Sequence, residues 1–468
     1  MSRKMKNKVI TNLLIERIAS EGKCLGHHEE KVVFVTGVAP GDVVDVRITK
    51  GKSSFMEGEP VKFHEFSKER IEPFCSHFGT CGGCKWQHIN YDLQKTYKRQ
   101  QVLDQFQRIA KVEMPEVLPT LGSENTRYYR NKLDFTFSNK KWLTIEQIQS
   151  GEDFDRNALG FHIPKMFDKI IDVDHCYLQG SISNDVRNEL RAFALDNNLS
   201  FYDIRNQVGL LRNLIIRTTS TDQFMVIVQF GEEDPEGIQK VMEFLHEKFP
   251  EITSLLYVIN TKGNETFHDL ELVTFAGEAF IEEEMEGLKF RIGPKSFYQT
   301  NSEQAYELYK VARDFADLKG DEVVYDLYTG TGTIANFVAK QAKQVIGIEY
   351  VAAAIEDAKL NSQINGLDNT LFYAGDMKDM LNDEFIANHA APDLIITDPP
   401  RAGMDEKVVQ MLLRLNAPKI VYVSCNPATQ ARDVALLDEK YKVEKVQPVD
   451  MFPQTYHVEN VVLLTLKS

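Results

Sequence analysis

The rhythm of apolar and polar positions changes along the chain, and each change predicts a different kind of structure. Between about residues 8 and 66, short β-branched runs at Val32-Val33-Phe34-Val35, Val43 to Ile48 and Pro60 to Phe63 are separated by Pro40-Gly41-Asp42 and by Lys50 to Ser54. That spacing of strands and turns predicts a small β-barrel. From Tyr91 to Ala110 the apolar residues Leu93, Tyr97, Val102, Leu103, Phe106 and Ile109 form one side, with Lys95, Lys98, Arg99 and Arg108 elsewhere. The pattern is that of a basic amphipathic helix. Residues from about 133 to 285 are strand-rich, with runs at Leu133, Leu214, Phe224 and Ser254 and one helical stretch from Ile238 to Phe249, as expected of an α+β unit. From Gly320 onward the pattern becomes strand, turn, helix in alternation, which predicts an open parallel sheet.

In such a sheet ligands bind beyond the carboxyl ends of the strands, and there the C-terminal third carries its chemistry. The strand Val323 to Tyr328 runs into Thr329-Gly330-Thr331-Gly332-Thr333, a glycine turn opening a helix over Ile334 to Lys340. Glycines there let the backbone approach a ligand, and the helix start favours negative groups. The next strand ends in Glu349, about 20 residues after the turn, where a carboxylate reaches ribose hydroxyls. Asp376 follows Phe372-Tyr373, and Asp398 heads Asp398-Pro399-Pro400-Arg401 at the tip of a further strand. Successive strand-end acids predict a nucleoside-bearing cofactor, and the Asp-Pro-Pro tip favours S-adenosylmethionine over NAD. A buried run, Ile420 to Ser424, then delivers Cys425 to the turn Asn426-Pro427.

Length and charge set the context. A chain of 468 residues holds two to four domains at about 100–200 residues each. No apolar run approaches the roughly 18 residues of a membrane span, so a cytoplasmic protein with no membrane partner is expected. Net charge is -15, yet residues 1–132 hold 22 Lys and Arg against 16 acids, and the remainder 32 against 53. A basic front on an acidic body still binds a polyanion locally. Arg127-Tyr128-Tyr129-Arg130-Asn131-Lys132 interleaves cations with aromatics, a combination suited to stacking bases and neutralising phosphates.

Cys75, Cys81 and Cys84 cluster around Gly82-Gly83, and Cys176 stands alone in His175-Cys176-Tyr177. Clustered thiols in a reducing compartment bind metal more often than they form disulfides. Four thiolates suit tetrahedral zinc or a [4Fe–4S] cluster, and the three-plus-one arrangement fits the cluster better.

Two resemblances emerge from these motifs. Gly22 to Gly26, Phe34-Val35 and Ala39 to Asp42 resemble a TRAM domain, an OB-like RNA-binding module in which Lys50, Lys52 and Phe55 would meet a phosphate backbone. The whole chain resembles the S-adenosylmethionine-dependent RNA uridine C5-methyltransferases, in particular the iron–sulfur branch acting on 23S ribosomal RNA. The matching motifs are the four-cysteine set, Ser296 to Asn301, Asp398 to Arg401, Ser424 to Pro427, and His457-Val458-Glu459-Asn460; Thr333 departs, standing where relatives often carry Asn.

The fold class so implied is α/β, a Rossmann-like methyltransferase domain (286–468) joined to an N-terminal OB-like TRAM β-barrel (1–67) and a central α+β domain with an iron–sulfur site (68–285). The helix near 91–110 is expected to pack on the catalytic domain. The resemblance makes Cys425 the nucleophile, Glu459 the base, and Gln299, Tyr328, Gly330, Glu349, Asp376 and Asp398 the cofactor or active-site ligands. It makes Cys75, Cys81, Cys84 and Cys176 the metal ligands, the cofactors S-adenosylmethionine and a [4Fe–4S] cluster, and the partner RNA, met by a monomer. Transfer RNA is the alternative target. An amino-group methyltransferase would leave Cys425 idle, a non-catalytic RNA-binding protein would leave the cofactor acids unexplained, and an electron carrier would not need the C-terminal sheet.

Overall fold

The computed structural model describes residues 8–467. Near the N-terminus, six strands form one sheet in the order Val9–Leu14, Val43–Gly51, Phe55–Glu65, Lys31–Val35, Cys24–His28, Arg17–Ile18. Its core is β-branched, with Val33, Val35, Val44, Val46 and Ile48 all sealed from solvent. Val9–Leu14 and Cys24–His28 were absent from the sequence expectation, because the first follows polar residues and the second is broken by a histidine pair.

A seven-stranded sheet built from residues 132–277 follows, antiparallel except for Phe224–Phe230 beside Ser254–Ile259. One face is covered by the helices Ser181–Asp196 and Pro235–Lys248, whose Phe193 and Phe244 rings stack at 4.0 Å. From the other face Ile215, Met225, Ile227, Leu256 and Val258 pack into a core shared with Phe290, Ala305, Val324 and Val421. Apolar contact therefore continues from the central sheet into the C-terminal one.

The C-terminal sheet contains β1 (Val323–Leu327), β2 (Gln344–Glu349), β3 (Thr370–Ala374), β4 (Leu394–Thr397), β5 (Lys419–Ser424), β6 (Tyr441–Val449) and β7 (Glu459–Leu466). Their spatial order is β3-β2-β1-β4-β5-β7-β6. The first five are parallel, while β7 runs antiparallel to β5 and to β6. Strand order reverses between β1 and β4, and at such a switch point the edge loops splay apart to make a crevice.

The segment 91–110 departs from expectation. It is an α-helix over Tyr91–Gln105 continued by one π-helical turn, Phe106–Ala110. Its buried face carries Gln94, Lys98, Val102, Phe106 and Ala110, while Ile109 is exposed. Val102 and Phe106 join the core around Tyr325 and Tyr422, so the helix packs on the C-terminal sheet. Lys98, expected on the solvent side, is sealed from water against Asp450.

Candidate active site

The register of the C-terminal sheet lines its candidate residues along one edge. Glu349, the last residue of β2, pairs with Ala374 at the end of β3, two residues before Asp376. Leu327 pairs with Ile348 on one side and Thr397 on the other, so Tyr328 and Asp398 leave adjacent strands at the same level. Ser424 pairs with Asn460, which brings Cys425 and Glu459 out of neighbouring strands side by side. The resulting sequence across the edge is Asp376, Glu349, Tyr328, Asp398, Cys425, Glu459.

The left half is shaped for close approach. Gly330 and Gly332 take the left-handed φ values +55° and +75°, and at Gly332 a Cβ would lie 2.8 Å from that of Ala358. Around a Cβ built on Gly330 there is no atom within 4 Å. Glu349 receives the backbone N–H of Gly330 at 3.3 Å and of Val351 at 3.0 Å, which fixes its carboxylate under the turn. These features fit an adenosyl group carrying ribose hydroxyls. Asp376 is partly occupied, capping the helix Met377–Met380 and pairing with Lys378 at 2.8 Å, and that ammonium holds its carboxyl below the usual range.

One residue of this half was missed by the sequence reading. Asp326, buried in β1, accepts from the Thr329 hydroxyl and from the Ala335 N–H at 3.1 Å, tying the strand to the helix beyond the glycine turn. Its Oδ1 has no partner among the described residues, and burial raises its pKa to about 7. Tyr328 adopts φ +62°, a left-handed conformation that is costly for a side chain of its size. An acid inside an apolar strand was the available signal for Asp326.

The right half concentrates acid around a thiol. Burial, then the charges of Glu459 and Asp398, raise the Cys425 pKa to about 11, with Arg401 acting in the opposite direction. Burial, then Asp398, raises Glu459 to about 8; burial, then Asp326, raises Asp398 to about 7. Arg401 was read from sequence only as part of the Asp398 to Arg401 motif and given no site role, although its backbone is pinned beside the thiol turn: its carbonyl accepts from the Asn426 side chain at 3.0 Å and from the Thr429 hydroxyl at 3.3 Å. His457 is driven down to about 4 by burial and by Arg401, and its ring lies tilted by 33° against that of Tyr456, with centroids 4.3 Å apart.

Gln299 lies on the stretch 296–301 that bridges the two halves. The Thr331 hydroxyl reaches the Phe297 carbonyl at 3.5 Å, and the Asn301 amide reaches that of Met451 at 2.9 Å. Asn131 holds the Gln299 carbonyl at 2.8 Å.

Cys75, Cys81, Cys84 and Cys176 line a single cavity of about 370 Å³, bordered also by Arg130, Thr300 and Thr455. Gly82 is required in that loop, with φ +78° and Pro164 only 2.3 Å from where its Cβ would be. Burial is the main cause of the raised pKa values of Cys81, about 11, and Cys84, about 12, and the other cysteines add to both shifts. Among the described residues, however, no three His, Cys, Asp or Glu side chains stand close enough to hold a metal ion. The four expected metal ligands thus share one thiol-lined chamber, without the tight convergence that a single tetrahedral ion imposes.

A mostly parallel sheet with this switch point, a glycine turn answered by Glu349 and a thiol beside a buried carboxylate are the features of an S-adenosylmethionine-dependent methyltransferase. Comparison with known proteins agrees. Residues 277–467 match the family described as tRNA (uracil-5-)-methyltransferase, and residues 3–61 match the TRAM domain. An RNA methyltransferase of Bacteroides thetaiotaomicron, described as uncharacterized, is 58% identical over 96% of this chain and all of its own length. One from Staphylococcus aureus is 37% identical over 99% of both chains. The crystal structure of the Pyrococcus abyssi tRNA (uracil-54, C5)-methyltransferase with S-adenosyl-L-homocysteine superposes with a TM-score of 0.75 at 27% identity, over 97% of this chain and all of that one. The chain belongs to the S-adenosylmethionine-dependent RNA (uracil-5)-methyltransferase family.

Proposed function

We propose that this protein methylates C5 of one uridine in 23S ribosomal RNA through a covalent adduct to Cys425. The observation that carries the mechanism is the pairing of Ser424 with Asn460, which sets the Cys425 thiol beside the Glu459 carboxyl at the sheet edge. C5 of uracil is too weak a nucleophile to attack a methyl sulfonium directly. The Cys425 thiolate adds to C6, the displaced electron pair moves to O4, and C5 of the resulting enolate takes the methyl, releasing S-adenosylhomocysteine. Glu459 then removes the C5 proton, the C6–S bond breaks, and 5-methyluridine leaves with the thiolate restored. Gln299, Tyr328, Gly330, Glu349 and Asp376 hold the cofactor, and Asp398, between the halves, faces both ligands. A helical uridine must be flipped out of its stack to reach the thiol.

The four cysteines are assigned to a [4Fe–4S] cluster, supported by a chamber that all four line and by the wider spread of thiolates that a cluster takes relative to a single ion. When bound, the cluster would fasten the 75–84 loop to Cys176; no methyl-transfer step passes through it. The ribosomal target rests on the four-cysteine motif. Transfer RNA is the second reading, favoured by the likeness to the archaeal transfer RNA enzyme. Mapping 5-methyluridine in both RNA classes, with and without the gene, distinguishes them.

The mechanism is tested by two substitutions that fail at different steps. Cys425→Ala binds RNA but forms no adduct and transfers no methyl. Glu459→Gln adds and methylates, then stalls, accumulating a denaturation-resistant, methyl-labelled protein–RNA species, with turnover down about 10²–10⁴-fold. Formation of 5-methyluridine by Cys425→Ala rules the mechanism out.

A further inference from the structure

The loop 450–458, which joins β6 to β7 and delivers Glu459, is held almost entirely from outside its own sheet. Four consecutive carbonyls each receive a donor from a different stretch of chain. Met451 accepts from the Asn301 amide at 2.9 Å, Phe452 from the Lys98 ammonium at 3.1 Å, and Pro453 from the Tyr129 hydroxyl at 2.9 Å. Gln454 accepts from the backbone N–H groups of Lys85 and Trp86 at 2.8 and 3.0 Å. Gln454 has φ +67°, a left-handed conformation that needs outside support. Gln94 supplies it, receiving the Gln454 N–H at 3.0 Å and donating to its side-chain oxygen at 3.0 Å. At the loop's start Asp450 is fully buried and pairs with the equally buried Lys98.

The donors share one property. None lies within the C-terminal sheet, and Lys85 directly follows Cys84, so the cysteine loop is itself part of the grip. A connecting loop is ordinarily the mobile part of such a fold. Here the neighbouring polar groups are buried in fixed directions, and the burial of Gln94, Lys98 and Asp450 would be pointless for an amphipathic helix that needed only to cover a core.

Resting on the reading of Glu459 as the proton acceptor, we propose that Gln94, Lys98 and Tyr129 are positioning residues for that carboxylate. They lock the loop from which Glu459 emerges, and they couple its placement to the order of the cysteine loop. Their loss should impair proton removal from the methylated adduct while leaving cofactor binding and methyl transfer intact.

The test compares Gln94→Ala and Tyr129→Phe with Glu459→Gln in the full-length protein, using substrate RNA and methyl-labelled S-adenosylmethionine. Displacement of a catalytic group by about 1 Å costs up to about 10²-fold, so turnover should fall about 10- to 100-fold in the two variants. Affinity for S-adenosylmethionine should be unchanged, and the labelled covalent species should accumulate as it does in Glu459→Gln. A general weakening of the fold would lower adduct formation and methyl transfer together and would leave no stalled species. The proposal is overturned by normal turnover, or by lost turnover without the labelled species while Glu459→Gln accumulates it. If Glu459→Gln accumulates none, the assignment of the base fails first, and the positioning role fails with it. Tyr129→Phe removes a single hydroxyl and decides the matter should Gln94→Ala not fold.

Discussion

A buried carboxyl ought to weaken the fold as it ionises, and Glu459 makes that measurable. Its pKa rises from an ordinary 4.5 to about 8, chiefly because burial removes water from the charge and secondarily because Asp398 lies nearby. At about 1.4 kcal/mol per pKa unit, the native state binds the Glu459 proton more tightly than the unfolded chain does by about 5 kcal/mol. The sign follows from linkage: with the folded pKa above the unfolded one, the stabilisation is complete below about pH 4.5, erodes as pH rises, and is gone above about 8. Between about pH 5.5 and 9 the wild type should therefore lose about 3 kcal/mol through this group. Urea denaturation of wild type and Glu459→Gln at both pH values measures it. The glutamine variant, which has no proton to lose there, should show a correspondingly shallower fall, Asp398 contributing to the slope in both. Equal slopes would refute the burial argument. On the proposed mechanism the same equilibrium acts on catalysis in the opposite sense, because only the ionised form would accept the C5 proton, so turnover should climb through about pH 8.

Two further outcomes follow from the site's geometry. Glu349→Ala should weaken S-adenosylmethionine binding by calorimetry without unfolding the chain, because the carboxylate is fixed beneath the glycine turn by the Gly330 and Val351 N–H groups; unchanged affinity would reject its assignment to the ribose. Protein purified without oxygen should be brown with about four irons per chain, whereas stoichiometric zinc and no iron would remove the cluster assignment.

What the sequence made legible was whatever depends on local spacing. The strand, turn, helix alternation after Gly320 predicts the parallel sheet, since β-branched runs followed by glycine turns have few other solutions. Cys75, Cys81 and Cys84 fall into one chamber because glycines between them allow the loop to curl; Cys176 joins them only through the fold, yet its rarity pointed to it. Helical periodicity misread Lys98, because hydropathy scores an ammonium as solvent-facing and the partner that buries it, Asp450, is 352 positions away. Arg401, named only as the end of the Asp-Pro-Pro-Arg motif, was given no role for a similar reason. Its importance lies in proximity to a thiol 24 residues on, and proximity across a turn leaves no mark in the period of the chain.

Glu459 shows how a candidate residue can be reached without the geometry that places it. It begins a strand, and in a wholly parallel sheet the start of a strand lies at the edge opposite the ligand crevice. Only because β7 is inserted antiparallel between β5 and β6 does its first residue come level with the end of β5 and meet Cys425. The reversal has a second effect. A carboxylate at the mouth of a hairpin inherits the freedom of the loop that precedes it, and this fold restrains that loop with donors drawn from the helix Tyr91–Gln105, the Tyr129 stretch and the cysteine loop. On that proposal the N-terminal half of the chain does more than carry RNA-binding surface: it holds the loop before Glu459 with donors that the C-terminal sheet alone does not provide.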